Sequence, residues 1–241
     1  MRSCVRSGFN NGSRHTQGAD VMERGYDSEI MDDFSIQDER IDSALHELKT
    51  INILLGGKAA TEKGFRILRK RKSLPDRLSV LDVGAGGADV FGNTSDEFSI
   101  TALDKNPRTC TYLREHTRHS IVCGDAMDIP FRDKSFDVVH VSLFLHHFTE
   151  EQIVGLMMSF SRIARHGIII NDLRRSRLAL TGIKILTLLF SRSTMVKHDA
   201  PLSVQRGFSK DELLQIFDRC SLNNFIIKRT WAFRWLVVVE L

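Results

Sequence analysis

Between residues 78 and 171, five short runs rich in aliphatic residues alternate with stretches of helical composition. The runs are 78–83, 99–104, 120–123, 136–142 and 167–171. Each is nearly continuously apolar rather than alternating, which is what a strand covered on both faces requires. Strand–helix alternation of this kind predicts an α/β domain built on a parallel sheet. Pro107 is well placed to open one of the intervening helices, and helix-forming residues at 150–165 make another. A further helix is expected from Ala88 onward.

The flanks of this core read differently. Ile41, Ala44, Leu45, Leu48, Ile51 and Leu55 recur at helical spacing, and Gly56-Gly57 stops that helix. A second helix follows from Ala59 to Lys72, and residues 22–74 together predict a helical pair over the mouth of the site. Its basic end, Arg69 to Lys72, reads as a solvated helix terminus or as an RNA-contacting patch. After the fifth strand, an apolar helical stretch at 178–190 and a loop at 191–208 predict a lid inserted at about 173–208. Ser209 and Glu212 are spaced as a capping box, and two strands at 225–228 and 236–241 are expected to pair as an antiparallel edge. Residues 1–21, polar and aperiodic, are expected to be a disordered tail.

Composition narrows the function classes. The chain has 241 residues, of which 42% are hydrophobic. It can therefore bury a core, and wholesale disorder or a collagen-like structure is excluded. Lys and Arg number 34 against 30 Asp and Glu. That excess is too mild for the dense basic face of a nucleic-acid binder, and no nucleic acid is expected. Cys4, Cys110, Cys123 and Cys220 are widely spaced, without metal-ligand rhythm, so no metal is expected and the thiols read as reduced. The longest apolar stretch carries Lys184 and is too short for a bilayer span. The N-terminus lacks the apolar segment of a secretory signal, and a cytoplasmic location is the expectation.

The turn after the first strand reads Asp82-Val83-Gly84-Ala85-Gly86-Gly87-Ala88-Asp89. Glycines here let a ligand approach the backbone, and free amides can hold its anionic groups. A dinucleotide fingerprint would need glycine where Asp89 stands, and a carboxylate there would oppose a pyrophosphate. The turn resembles instead the D-x-G-x-G-x-G motif of class I S-adenosylmethionine-dependent methyltransferases, with Ala88 in place of the last glycine. Asp104, 20 positions after Gly84, closes the second strand where an acid accepts both ribose hydroxyls. Gly124-Asp125-Ala126, Ile129-Pro130-Phe131 and Ser135-Phe136-Asp137-Val138-Val139 resemble the adenine-side segment of the same superfamily. Leu145-His146-His147-Phe148 is similar to the L-H-H segment of its quinone-methylase-like (type 11/25) branch.

The resemblance covers about residues 75–172. It implies a Rossmann-like seven-stranded sheet, parallel strands plus one antiparallel edge strand, in a domain at 75–241. It also implies S-adenosylmethionine as cofactor, held by Asp82, Gly84, Ala85, Gly86, Asp104, Lys105, Asp125, Ala126 and Ser142.

Methyl transfer needs alignment, plus a base when the acceptor is protonated. His146 and His147, just past the fourth strand, are the catalytic candidates; alternatively one packs under the cofactor and the other caps a helix. Asn171, Asp172, His198 and Arg206 are the candidate substrate contacts. No Asn/Asp-Pro-Pro-Tyr/Phe segment, suited to amino groups of bases or to glutamine, follows the fourth strand. The apolar stretch at 178–190, with basic residues at its edges, suits a small hydrophobic acceptor methylated on oxygen or carbon; the same face would suit peripheral contact with a lipid surface. RNA or protein methylation, or cofactor binding without catalysis, are the competing readings.

Overall fold

The structure, a computed structural model, describes residues 22–88, 90–91 and 96–241. The tail expected at 1–21 lies outside the described residues. Seven strands, β1 (Leu78–Val83), β2 (Phe98–Asp104), β3 (Ser120–Cys123), β4 (Phe136–Ser142), β5 (Ala164–Leu173), β6 (Phe225–Thr230) and β7 (Arg234–Glu240), form one sheet. Their order is β3-β2-β1-β4-β5-β7-β6. β1 to β5 run parallel, and β7 runs antiparallel between β5 and the edge strand β6. Chain order reverses at β1, so the crevice beyond the carboxyl ends of β1 and β4 is where ligands bind in such sheets.

The apolar runs become strands because helices bury both of their faces. One face packs against α4 (Glu150–Ile163) and α7 (Lys210–Arg219), with Phe160 and Phe217 against Val139, Ile168 and Val237. Both helices begin with a reciprocal cap, Thr149 with Gln152 and Ser209 with Glu212, as the spacing at 209–212 predicts. On the other face, Phe65 and Leu68 of α2 (Gly57–Arg71) pack on Val80, Val138 and Ile169. α3 (Pro107–His116) covers β2 with Leu113 against Ala102, and Asn106 caps it.

A third apolar layer sits over the crevice. α1 (Glu39–Leu54), α5 (Arg177–Phe190) and α6 (Thr194–Arg206) share a core through Ile41, Leu45, Ile183, Met195, Val196 and Val204. Here the structure departs from three expectations. Only α1 of the expected helical pair covers the crevice; α2 carries its apolar stripe toward the sheet and belongs to the domain core. Residues 191–208 are not a loop: Ser193 accepts a hydrogen bond from the Val196 N–H and starts α6, which continues through Pro201. Its sparse buried face, Met195, Val196, Ala200 and Val204, is enough to hold it. The helix expected from Ala88 meets turns at Val90 and Phe91, and the remainder of that expectation falls partly on residues 89 and 92–95, outside the described residues. Among the described residues, no helix is long and apolar enough to cross a membrane, and Cys110, Cys123 and Cys220 are free thiols.

Candidate functional site

A cavity of about 1010 Å³ lies above the carboxyl ends of β1, β2 and β4. Its floor is the glycine turn. The amides of Gly84 and Ala85 both donate to the Leu103 carbonyl, tying the turn to β2. Gly84, at φ 62°, and Gly86, at φ 50°, take the left-handed backbone. Glycine adopts that conformation without penalty. Ala88, where the motif has glycine, adopts φ 49° as well. That conformation costs an alanine roughly 1 kcal/mol. The two glycines differ in their surroundings. A Cβ on Gly84 would fall 2.1 Å from the Phe144 ring, whereas one on Gly86 would meet nothing nearer than Leu45, at 3.8 Å. Gly86 therefore fronts open cavity.

Asp104 stands beside the turn, where its two carboxylate oxygens accept from the Gly86 and Asn106 amides, both at 3.0 Å. Burial pushes its pKa up, so hydroxyl donors from the cavity would suit it. Ala85, Asp82, Asp125, Ala126 and Ser142 also line the cavity. Asp82 accepts from His140 at 2.7 Å, and His140 is held in turn by Thr61, so this carboxylate is fixed from behind. Lys105 pairs with Asp125 at 2.8 Å and lies 4.9 Å from the Phe34 ring centre. The Ser142 hydroxyl accepts from Asn171.

The opposite wall holds His146 and His147, on a short helical turn after β4. His146 is buried. Its Nδ1 lies 2.7 Å from Asp172, and its Nε2 lies 3.6 Å from Glu29. Burial opposes its charge, but the carboxylates on either side prevail and raise its pKa to about 9. His147 is partly exposed to the cavity and its Nδ1 lies 2.7 Å from Asp32. Burial would raise the Asp32 pKa, yet hydrogen bonds from His147 and Arg206 hold it well below the usual carboxylate range. Arg206 binds Asp32 at 2.7 Å and the carbonyls of both histidines, fixing the pair.

Sequence reasoning missed Glu29 and Asp32. They come from an aperiodic stretch more than 100 residues before the histidines, and no local signal marks them. Conversely, three substrate candidates fall outside the cavity lining. Asn171 is fully buried and donates to the Gly57 carbonyl and to Ser142, clasping β5 to its neighbours. Asp172 stands behind His146. His198 projects from α6 with half its side chain in solvent, against Asp199. Arg206 does line the cavity, through the histidine cluster.

A pH dependence follows from His146. Its folded pKa lies above the ordinary value of about 6.5. Its contribution to stability is therefore complete below that pH and is lost as pH rises through about 9. Denaturant unfolding across this window should show stability falling by roughly 1–3 kcal/mol. A flat profile would contradict an imidazolium held between two carboxylates.

Known proteins are similar to this chain in sequence and in fold. The methyltransferase-domain family model matches residues 81–170. A tRNA (carboxymethyluridine(34)-5-O)-methyltransferase of Xenopus tropicalis is 33% identical over 96 residues, 39% of this chain but only 15% of that protein. A demethylmenaquinone methyltransferase of Staphylococcus haemolyticus is 25% identical over 173 residues, 61% of this chain and 72% of its own length. The crystal structure of plantazolicin methyltransferase, in complex with a triazolic desmethylPZN analog and SAH, superposes with a TM-score of 0.59 at 16% identity. That match covers 80% of this chain and 72% of the other, and it shows the shared fold. Domain match and strand order agree with the glycine turn: residues 81–170 match a methyltransferase domain, and the sheet has the Rossmann-like strand order of the class I methyltransferase fold.

Proposed function

We propose that this protein methylates a small apolar acceptor on oxygen or carbon, with His147 as the general base. The observation that carries this reading is one cavity bounded by the glycine turn, the histidine pair and the apolar inner face of α5, through Ala179, Gly182, Ile183 and Leu186. Its volume exceeds what a cofactor alone needs, and its far end is hydrocarbon.

The residues along the floor fit the cofactor. Gly86 leaves room above the turn, Asp104 suits the ribose hydroxyls, and Asp125 with Ala126 borders the adenine side. Asp82, anchored by His140, faces the amino-acid end. When bound, S-adenosylmethionine supplies a methyl group on a positively charged sulfur, already activated for displacement. The chain's own task is to align an acceptor and take its proton. His147 has the place for it: one face toward the cavity, the other nitrogen held by Asp32, which stabilises the imidazolium formed. His146, locked between Asp172 and Glu29 and charged at neutral pH, positions its neighbour rather than accepting a proton. α5 and α6 act as the lid that excludes water.

A second reading, an RNA acceptor, is favoured by the tRNA-modifying relative. The basic end of α2 supports it weakly, because Arg69 is engaged by the carbonyls of Pro75 and Asp76 and Arg71 pairs with Glu240. Transfer of labelled methyl from the cofactor into apolar phenols and quinols, tRNA and protein fractions separates the readings. Label in the apolar acceptors is the expected result; label confined to RNA or protein would overturn the proposal.

A further inference from the structure

The outward side of α5 is unusual for a helix of a globular protein. Leu178, Ile185, Leu188, Leu189 and Phe190 are all exposed, Leu188 at 72% and Phe190 at 75%. At about 100° per residue, Leu178, Ile185 and Leu189 form one stripe, with Leu188 beside it. Arg177 and Lys184, both exposed, border the stripe on one side. On its other side lie Gly182, Leu186 and Ala179, which line the cavity. The apolar surface thus runs from the outer face of the helix to the cavity wall. Trp231 also lines the cavity and is 75% exposed.

The segment that carries this face has charge of one sign. Residues 173–198 contain six Lys and Arg and no Asp or Glu. Among them Lys184, Arg192 and Lys197 are exposed. Glu47, the carboxylate packed at the end of α5, is taken up by Ser191 and by the amides of Arg192 and Ser193. An apolar stripe with a basic border is complementary to a surface of hydrocarbon under anionic headgroups. A second copy of the chain would bring the same positive charges face to face in a two-fold contact.

We propose that the outer face of α5, together with the exposed Trp231 of the cavity lining, docks on an anionic lipid bilayer and turns the cavity mouth toward the membrane. A lipid-dissolved acceptor then reaches the cavity without crossing water. That purpose rests on the proposed apolar acceptor; the docking itself does not, and it is read without acceptor or cofactor.

The test is co-sedimentation of the whole protein with vesicles of phosphatidylcholine alone or mixed with phosphatidylglycerol. Wild type should pellet with the anionic vesicles, and added salt should weaken the binding. Leu188→Glu with Leu189→Glu should lower the partition coefficient at least about tenfold. Lys184→Glu should lower it about fivefold on anionic vesicles. These side chains lie in solvent, so an unchanged unfolding midpoint should accompany both effects. Failure to bind either vesicle, or binding indifferent to these substitutions, would overturn the proposal. So would a dimer in sedimentation velocity that the double substitution abolishes, which would make the face a self-interface. Vesicle binding together with methyl transfer only to RNA would leave the docking standing and overturn the acceptor reading instead.

Discussion

His147→Gln should lower turnover by roughly 10² to 10⁴, the usual scale for loss of a general base, while cofactor affinity stays within about twofold. The substitution keeps a polar side chain of similar reach, and Asp32 retains Arg206 as a partner, so the local structure should survive. A phenolic acceptor, which ionises by itself at about pH 10, should recover part of the lost rate in the variant at high pH. A merely structural role would show no such recovery. Normal turnover in the variant would mean that alignment alone drives transfer, and His198, half in solvent outside the cavity lining, could not take over the role.

Gly86→Val should abolish measurable cofactor binding, a loss of at least about 100-fold, or roughly 2.7 kcal/mol. Two effects act together. Gly86 sits at φ 50° and carries the amide that contacts Asp104. A β-branched residue there is a steric outlier and would disturb the turn. Its side chain would also project into cavity that the protein leaves open. The fold should remain, because among the described residues, chain neighbours aside, only Leu45 comes within 4 Å of the added Cβ. Gly84→Val is a poorer probe than the sequence implies, since its Cβ would collide with Phe144 and damage packing as well as binding. If Gly86→Val bound the cofactor normally, the ligand would not lie over this turn.

These particulars show what the sequence discloses and why it stops where it does. The strands at 78–83 and 136–142 coincide with β1 and β4 because strands buried on both faces must be largely apolar, and 120–123 coincides with β3, a partly exposed edge strand. The glycine turn and Asp104 are legible because their chemistry is local to one strand end each. α6 is hidden by its polar surface and by Pro201, and only tertiary burial of four apolar residues reveals it. The roles of His146 and His147 cannot be separated in sequence, where they are neighbours. Glu29 and Asp32, from the stretch before α1, distinguish them: His146 is buried between two carboxylates, whereas His147, the proposed base, is partly exposed beside Asp32.

Calorimetric titration with adenosylhomocysteine tests the central claim, that the turn at 84–86 and Asp104 form a cofactor site. Saturable one-to-one binding is expected, with no heat from NAD or FAD. Asp104→Ala should weaken that binding by about 1.5–3 kcal/mol, the scale of hydrogen bonds to a charged acceptor. Binding of NAD in place of adenosylhomocysteine, or an unchanged affinity in Asp104→Ala, would contradict it.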